Sequence, residues 1–143
     1  MSFRTARLIS GFAGAVLLAI GAALVVEPLG FAASNGVVLP NDVSVLSEYR
    51  APGGLLGVVG LLMLVSAFSR IHLATGLWAG ALVYCSYGGA RLLGYVIDGA
   101  PSSTLVQAMV IEWVIGLACL AAAARLAYEK NPGLPIEAAR EGR

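Results

Sequence analysis

The feature that most constrains this chain is the arrangement of its apolar residues in four blocks. Each approaches the roughly 20 residues that cross a ~30 Å hydrocarbon core as a helix. The blocks run from about Leu8 to Val26, Pro52 to Phe68, Leu73 to Ile97 and Thr104 to Tyr128. Of the 143 residues, 59% are hydrophobic and 12% charged, about half the charged share that coats a soluble domain. The expected fold is all-α: an integral membrane four-helix bundle over residues 1–130 (helices about 8–26, 52–68, 73–97 and 104–128), embedded in the lipid bilayer. Residues 131–143, with two prolines and a polar composition, read as a disordered cytoplasmic tail.

The connections are unequal. The only long one, residues 27–50, carries Pro28, Pro40, Asn35-Gly36 and Asn41-Asp42, which are turn signals. Its FAASNGVVL part is apolar enough to lie on or dip into the membrane surface. The turns Ser69–His72 and Asp98–Ser103 are tight. Arg4 and Arg7 ahead of an apolar run have the general form of a secretory signal. The run is longer than a signal core, however, and the Phe31-Ala32-Ala33 cleavage candidate lies beyond a Glu-Pro break, so it reads as a retained span. With four crossings, Arg4, Arg7, Arg70, Arg125, Lys130, Arg140 and Arg143 fall on one side, and Glu27, Asp42, Glu48 and Asp98 on the other. Lys/Arg bias puts both termini in the cytoplasm and the long first loop outside, in a bacterial inner membrane.

Four charges, Glu48, Arg50, Arg91 and Glu112, lie in or beside the spans. An isolated charge at mid-bilayer costs about 2.5–3.5 kcal/mol, so such groups turn inward and find partners. Reflection of the third and fourth blocks about residue 101 brings Arg91 level with Glu112, and reflection of the second and third about residue 70 or 71 brings Arg50 level with Arg91. The expectation is one polar cluster in the outward third of the bundle. Tyr84, Gly88, Arg91, Tyr95 and Asp98 recur at three- and four-residue steps and so share a helix face. Ala108, Glu112, Ile115 and Cys119 form the facing stripe, with Gln107 near the mouth. Gly53, Gly54 and Gly57, with Gly88 and Gly89, are expected to let backbones approach closely around the cluster. Gly76 and Gly80, and Ala15, Ala19 and Ala23, repeat the device.

Two readings of the cluster stand side by side. It is a structural lock that fixes which helix packs where, or an outward-opening pocket for a small anionic or amphipathic ligand, walled by Tyr49, Tyr84, Tyr87 and Tyr95. Translocation of protons or ions is a third and weaker reading, because a four-helix monomer has little room for a pore. Other features carry less. Cys85 and Cys119 sit at similar depth without a CxxC motif, and buried cysteine is commonly a small apolar residue. His72 has no second histidine or nearby cysteine to complete a metal site. There is no phosphate loop, no nucleophile–base pair, and no basic run with interleaved aromatics for nucleic acid. No metal and no cofactor is expected.

The runs SEYRAPGGLLG and GGARLLGYVIDGAP, followed by the Glu of VIEWVIG, resemble the bacterial four-helix membrane family catalogued as domain of unknown function 4345. The resemblance extends from about Leu8 to Leu126 and includes Pro28 after the first span. It marks Glu48, Arg50, Gly53, Gly54, Arg91, Asp98, Gly99 and Glu112. Pro52 departs from the pattern, where the family tends to have a larger residue; it is expected in the first turn of its helix, where a missing N–H is tolerated. The family looks related to the wider DoxX-like group, some of whose members resemble quinone-linked oxidoreductase subunits. Residues and resemblance together favour a non-enzymatic accessory or small-ligand-binding protein. The alternatives are a membrane subunit of a quinone-linked redox system or a small transporter, and a membrane protein partner or a homo-oligomer is compatible with the small-residue faces.

Overall fold

The computed structural model describes residues 2–130, so the expected tail at 131–143 lies outside the described residues. The described chain is all-α: α1 (Phe3–Val26), α2 (Pro28–Ser34), α3 (Val43–Ala67), α4 (Leu73–Asp98) and α5 (Ser103–Lys130). Among the described residues there is no strand. Three helices, α1, α3 and α5, are long and apolar enough to cross a membrane. α4 is of similar length, but Arg91, its glycines and its tyrosines dilute its hydropathy.

The long helices alternate in direction. α1 packs most extensively on α3 and α4 on α5; α3 also meets α4, and α1 meets both α4 and α5. Among the described residues α3 and α5 do not pack on one another. The α1–α3 contact is close because glycines remove the side chains between backbones. A Cβ built at Gly14 would lie 2.8 Å from the Gly60 carbonyl oxygen, and one at Gly60 would lie 2.5 Å from the Leu18 amide nitrogen. Gly21 abuts Gly53 and Gly57 in the same way. The buried face of α1 is Ser10, Ala13, Gly14, Leu17, Gly21 and Leu24. The alanine stripe at Ala15, Ala19 and Ala23 is not that face, since Ala15 and Ala19 are exposed.

Two arginines fasten this pair at opposite ends. Arg7 Nε, near the start of α1, donates to the Ala67 carbonyl at the end of α3 at 2.6 Å. Arg50 Nε, in α3, donates to the Val25 carbonyl in the last turn of α1 at 3.0 Å. Both acceptors belong to the final carbonyls that a helix cannot satisfy within itself.

The end of the bundle that holds the termini is solid. Met63, Leu73, Leu77 and Cys119 are fully buried there. The hydroxyls of Ser10 and Ser66 both donate to the Met63 carbonyl, at 2.9 and 2.8 Å. Every polar hydrogen of this small buried node therefore has an acceptor, as burial requires.

The start of α3 corrects the expected start of the second span at Pro52. Asp42 caps α3, its carboxylate accepting from the amides of Ser44 at 2.9 Å and Val45 at 3.2 Å. The helix begins at Val43 and continues through Pro52, which is interior rather than in the first turn. The missing proline N–H leaves the Glu48 carbonyl without its i+4 donor; Glu48 is exposed, where other donors can reach it. The long first connection is also more ordered than a surface-lying loop. Pro28 opens α2, the Glu27 side chain accepts from the Gly30 amide at 3.3 Å, and the Asn35-Gly36 turn ends it with Gly36 at φ 76°. That left-handed conformation is one glycine adopts without penalty.

Candidate functional site

At the other end the bundle is hollow. A cavity of about 440 Å³ lies between the helices, and α2 and the turn after it complete its wall. Leu17, Leu24, Leu56 and Val83 give it an apolar lining, and Phe31 and Val37 come from the connection. The few polar groups are Asn35, three tyrosines and one ion pair. This volume is within the ~300–1,000 Å³ of small-molecule sites, which are typically apolar with a few placed polar groups.

The ion pair joins α4 to α5. Arg91 Nε is 3.1 Å from each carboxylate oxygen of Glu112, a single N–H shared between two acceptors. The side chains are 34% exposed for Arg91 and 15% for Glu112. Among the described residues neither Nη nitrogen of Arg91 has a protein acceptor. A guanidinium carries five N–H donors, so the pair leaves donor capacity on Arg91. Arg91 also lines a smaller hollow of about 220 Å³, with Tyr95, Asp98, Gly99 and Met109. It stands between two spaces.

The remaining expected residues are distributed differently. Tyr84 lines the cavity but sends its hydroxyl across to α1, donating to the Ala13 carbonyl at 2.8 Å. Tyr49 and Tyr87 line the wall. Tyr95 and Asp98 are exposed and belong to the smaller hollow. Arg50 does not join Arg91, because its guanidinium turns to the end of α1. Glu48 is exposed and makes no salt bridge among the described residues. The expected gathering of four charges is thus a single pair. Reflection through a turn gives depth along the axis but not direction around it, and Arg50 lies at a different azimuth.

The glycines divide similarly. A Cβ at Gly53 would lie 2.7 Å from Leu24 Cβ, and one at Gly88 would lie 3.0 Å from the Trp113 ring, so these two positions do admit a neighbour closely. A Cβ at Gly54, Gly57 or Gly89 would meet nothing within 4 Å. Gly57 contributes only its backbone, against Gly21. Gly14, Gly21 and Gly60, absent from the expected set, carry most of the α1–α3 approach.

Sequence reasoning also missed the wall made by α2. Its latch is Ser102, whose hydroxyl donates to the Asn35 carbonyl at 2.8 Å and so ties the Asn35-Gly36 turn to the α4–α5 connection. Asn35 in turn donates to the Phe31 carbonyl at 2.8 Å. The readable signal was Glu27-Pro28, a capping acid followed by an N1 proline. Both cysteines are free thiols. Among the described residues no three His, Cys, Asp or Glu side chains are grouped to hold a metal ion.

A family model described as Domain of unknown function (DUF4345) matches residues 5–123. No curated protein and no solved structure matches the chain.

Proposed function

We propose, from the premise that this chain belongs to the domain of unknown function 4345 family, that it is a four-span inner-membrane protein that binds a small amphipathic molecule in its outward half. It does so without bond chemistry. The observation that supports this reading is the pairing of an apolar cavity of about 440 Å³ with one arginine whose terminal nitrogens have no protein acceptor among the described residues. A purely structural lock needs the ion pair but no space beside it. An apolar space filled only by packing needs no arginine on its wall.

The chemistry of the cavity indicates the class of ligand. The Arg91–Glu112 pair is neutral overall, so the site offers hydrogen-bond donors without a net positive charge. It suits an oxygen-bearing head, a carbonyl or carboxylate, that accepts from the Arg91 Nη groups. The apolar tail lies among Leu17, Leu24 and Leu56. The Lys/Arg distribution supports an orientation with both termini cytoplasmic, which puts the cavity toward the outer leaflet. The fourth crossing is α4, on which Tyr84, Tyr87 and Arg91 line the cavity.

Native mass spectrometry of the protein released gently from its own membranes tests the reading. The wild type is expected to carry a small additional mass that Arg91→Lys loses, since lysine keeps the charge but not the planar fork of donors. A clean apo mass for the wild type, or full retention in Arg91→Lys, would overturn it.

A further inference from the structure

A second hollow lies at the opposite end of the molecule, on the lipid-facing side of the α1–α3 pair. It is a groove of about 600 Å³ lined by Arg4, Arg7, Leu8, Gly11, Phe12, Leu64, Ala67 and Phe68. We propose that this groove binds an anionic phospholipid of the inner leaflet, its phosphate held by Arg4 and Arg7 and one acyl chain laid over Gly11.

Three observations converge on that occupant. The first is charge. Two arginines line the groove and no carboxylate does, so an anion there meets no repelling partner in the wall. The second is the state of the arginines. Arg7 is fixed at two points: its Nε donates to the Ala67 carbonyl at 2.6 Å, and its Cζ stands 5.8 Å from the Phe68 ring centroid, within cation–π reach. Its Nη groups have no protein acceptor among the described residues. Arg4 is exposed and makes no hydrogen bond there. One arginine is held in place and the other can move to meet a headgroup.

The third observation is the apolar continuation. Leu8, Phe12 and Phe68 are 73%, 66% and 80% exposed, large side chains that a bilayer must cover. Gly11 opens a slot among them. A Cβ at Gly11 would meet only Ala67 Cβ, at an ordinary 3.9 Å, so close helix packing does not require glycine at this position. A free phosphate would use the arginines and leave the slot empty; a zwitterionic lipid would use the slot and gain less from the arginines. An anionic phospholipid uses both. Basic pockets between membrane helices on the cytoplasmic side are established sites for such headgroups. This site is separate from the outward cavity and does not need a ligand there; it rests on the proposed orientation with both termini cytoplasmic.

The test is titration of the full-length, delipidated protein with phosphatidylglycerol and, separately, with phosphatidylcholine of identical chains, read by native mass spectrometry. The wild type is expected to bind phosphatidylglycerol at least about fivefold more tightly, the effect of one basic residue near an anionic headgroup. Arg4→Gln, which removes no hydrogen bond or ion pair seen among the described residues, should erase about that factor for phosphatidylglycerol and leave phosphatidylcholine unchanged. Gly11→Leu fills the slot and should weaken phosphatidylglycerol with both arginines intact. Arg125→Gln, at the same end but outside the groove, serves as the control and should change nothing. Equal affinity for the two lipids would overturn the proposal. So would an equal loss in Arg125→Gln, which would mean diffuse attraction to the whole basic end. Full retention in Gly11→Leu, with inorganic phosphate competing as well as the lipid, would show an anion site without an acyl slot and would overturn it too.

Discussion

The two ends of this bundle share the long helices α1, α3, α4 and α5 and differ in what lies between them. At the end bearing the termini, Met63, Leu73, Leu77 and Cys119 fill the centre, and among the described residues the buried polar side chains there are two hydroxyls bonded to one carbonyl. At the other end a cavity of about 440 Å³ remains, with an arginine–glutamate pair on its wall. A close-packed interior is the norm for protein cores, where voids larger than a water molecule are few. The solid end therefore follows that norm. The hollow end bears a cost in lost packing, and its half-buried charged pair bears a further one in desolvation. The contrast runs along one axis. One end is held by close packing around its centre. The other is held by polar ties at its rim, Arg50 to Val25, Arg91 to Glu112 and Ser102 to Asn35, around a space that packing leaves open.

Substitutions can break that contrast or sharpen it. The largest effect is expected from Gly14→Val in the α1–α3 seam, where the new side chain would meet the backbone of α3 at Gly60 and Leu64. Overpacking commonly costs about 1–3 kcal/mol and more when backbone must move, so this variant should fail to give a monodisperse peak on size-exclusion chromatography in mild detergent. Arg91→Ala follows. It leaves Glu112 without its partner, a loss below the roughly 3–5 kcal/mol of a fully buried pair and above the roughly 0–1 kcal/mol of an exposed one, because the side chains are 34% and 15% exposed. Glu112→Gln should be milder, since the amide oxygen still accepts from Arg91; steric-trap or chemical unfolding in micelles compares the two, and equal, negligible effects would mean the pair contributes nothing.

Ser102→Ala removes the hydrogen bond that ties the Asn35-Gly36 turn to the α4–α5 connection, together with the acceptor that the hydroxyl offers the Leu105 amide at 3.4 Å at the start of α5. The expected change is about 1 kcal/mol, confined to the hollow end: amide exchange should accelerate in α2 and stay unchanged in α1 and α3. The smallest effect belongs to Gly54→Ala. Nothing lies within 4 Å of its Cβ position, and alanine in a helix is favoured over glycine by about 1 kcal/mol, so the thermal midpoint should hold or rise. Gly53→Ala, one residue away and against Leu24, should lower it.

The parts of this structure that were legible in the sequence are those that one dimension encodes. Block length gave the long helices, and reflection through the Asp98–Ser103 turn matched Arg91 to Glu112, the pair that the structure joins. Direction around an axis was harder to read. Leu55, Val58, Leu61, Leu62 and Val65 are exposed while Leu56 and Met63 are buried, so apolar residues surround α3 and hydropathy does not indicate its inner face. Gly53 and Gly54 therefore looked alike, and Arg50 could not be assigned to Val25 rather than to Arg91. The start of α3 was hidden by Pro52, which usually ends a helix, although Asp42 was a readable cap. The α2 wall depends on the Ser102–Asn35 contact between residues 67 positions apart, and no local pattern announces such a contact.

The most direct test of the hollow end as a binding site is to fill it. Native mass spectrometry of the wild type, Ala108→Leu on the cavity wall and Gly54→Leu outside the packed interior, all released from the same membranes, compares three proteins that should fold alike. The account predicts that the wild type and Gly54→Leu retain the same amphipathic mass and that Ala108→Leu has lost it while keeping its thermal midpoint. Equal occupancy in all three, or a collapse of Ala108→Leu as severe as that of Gly14→Val, would contradict it.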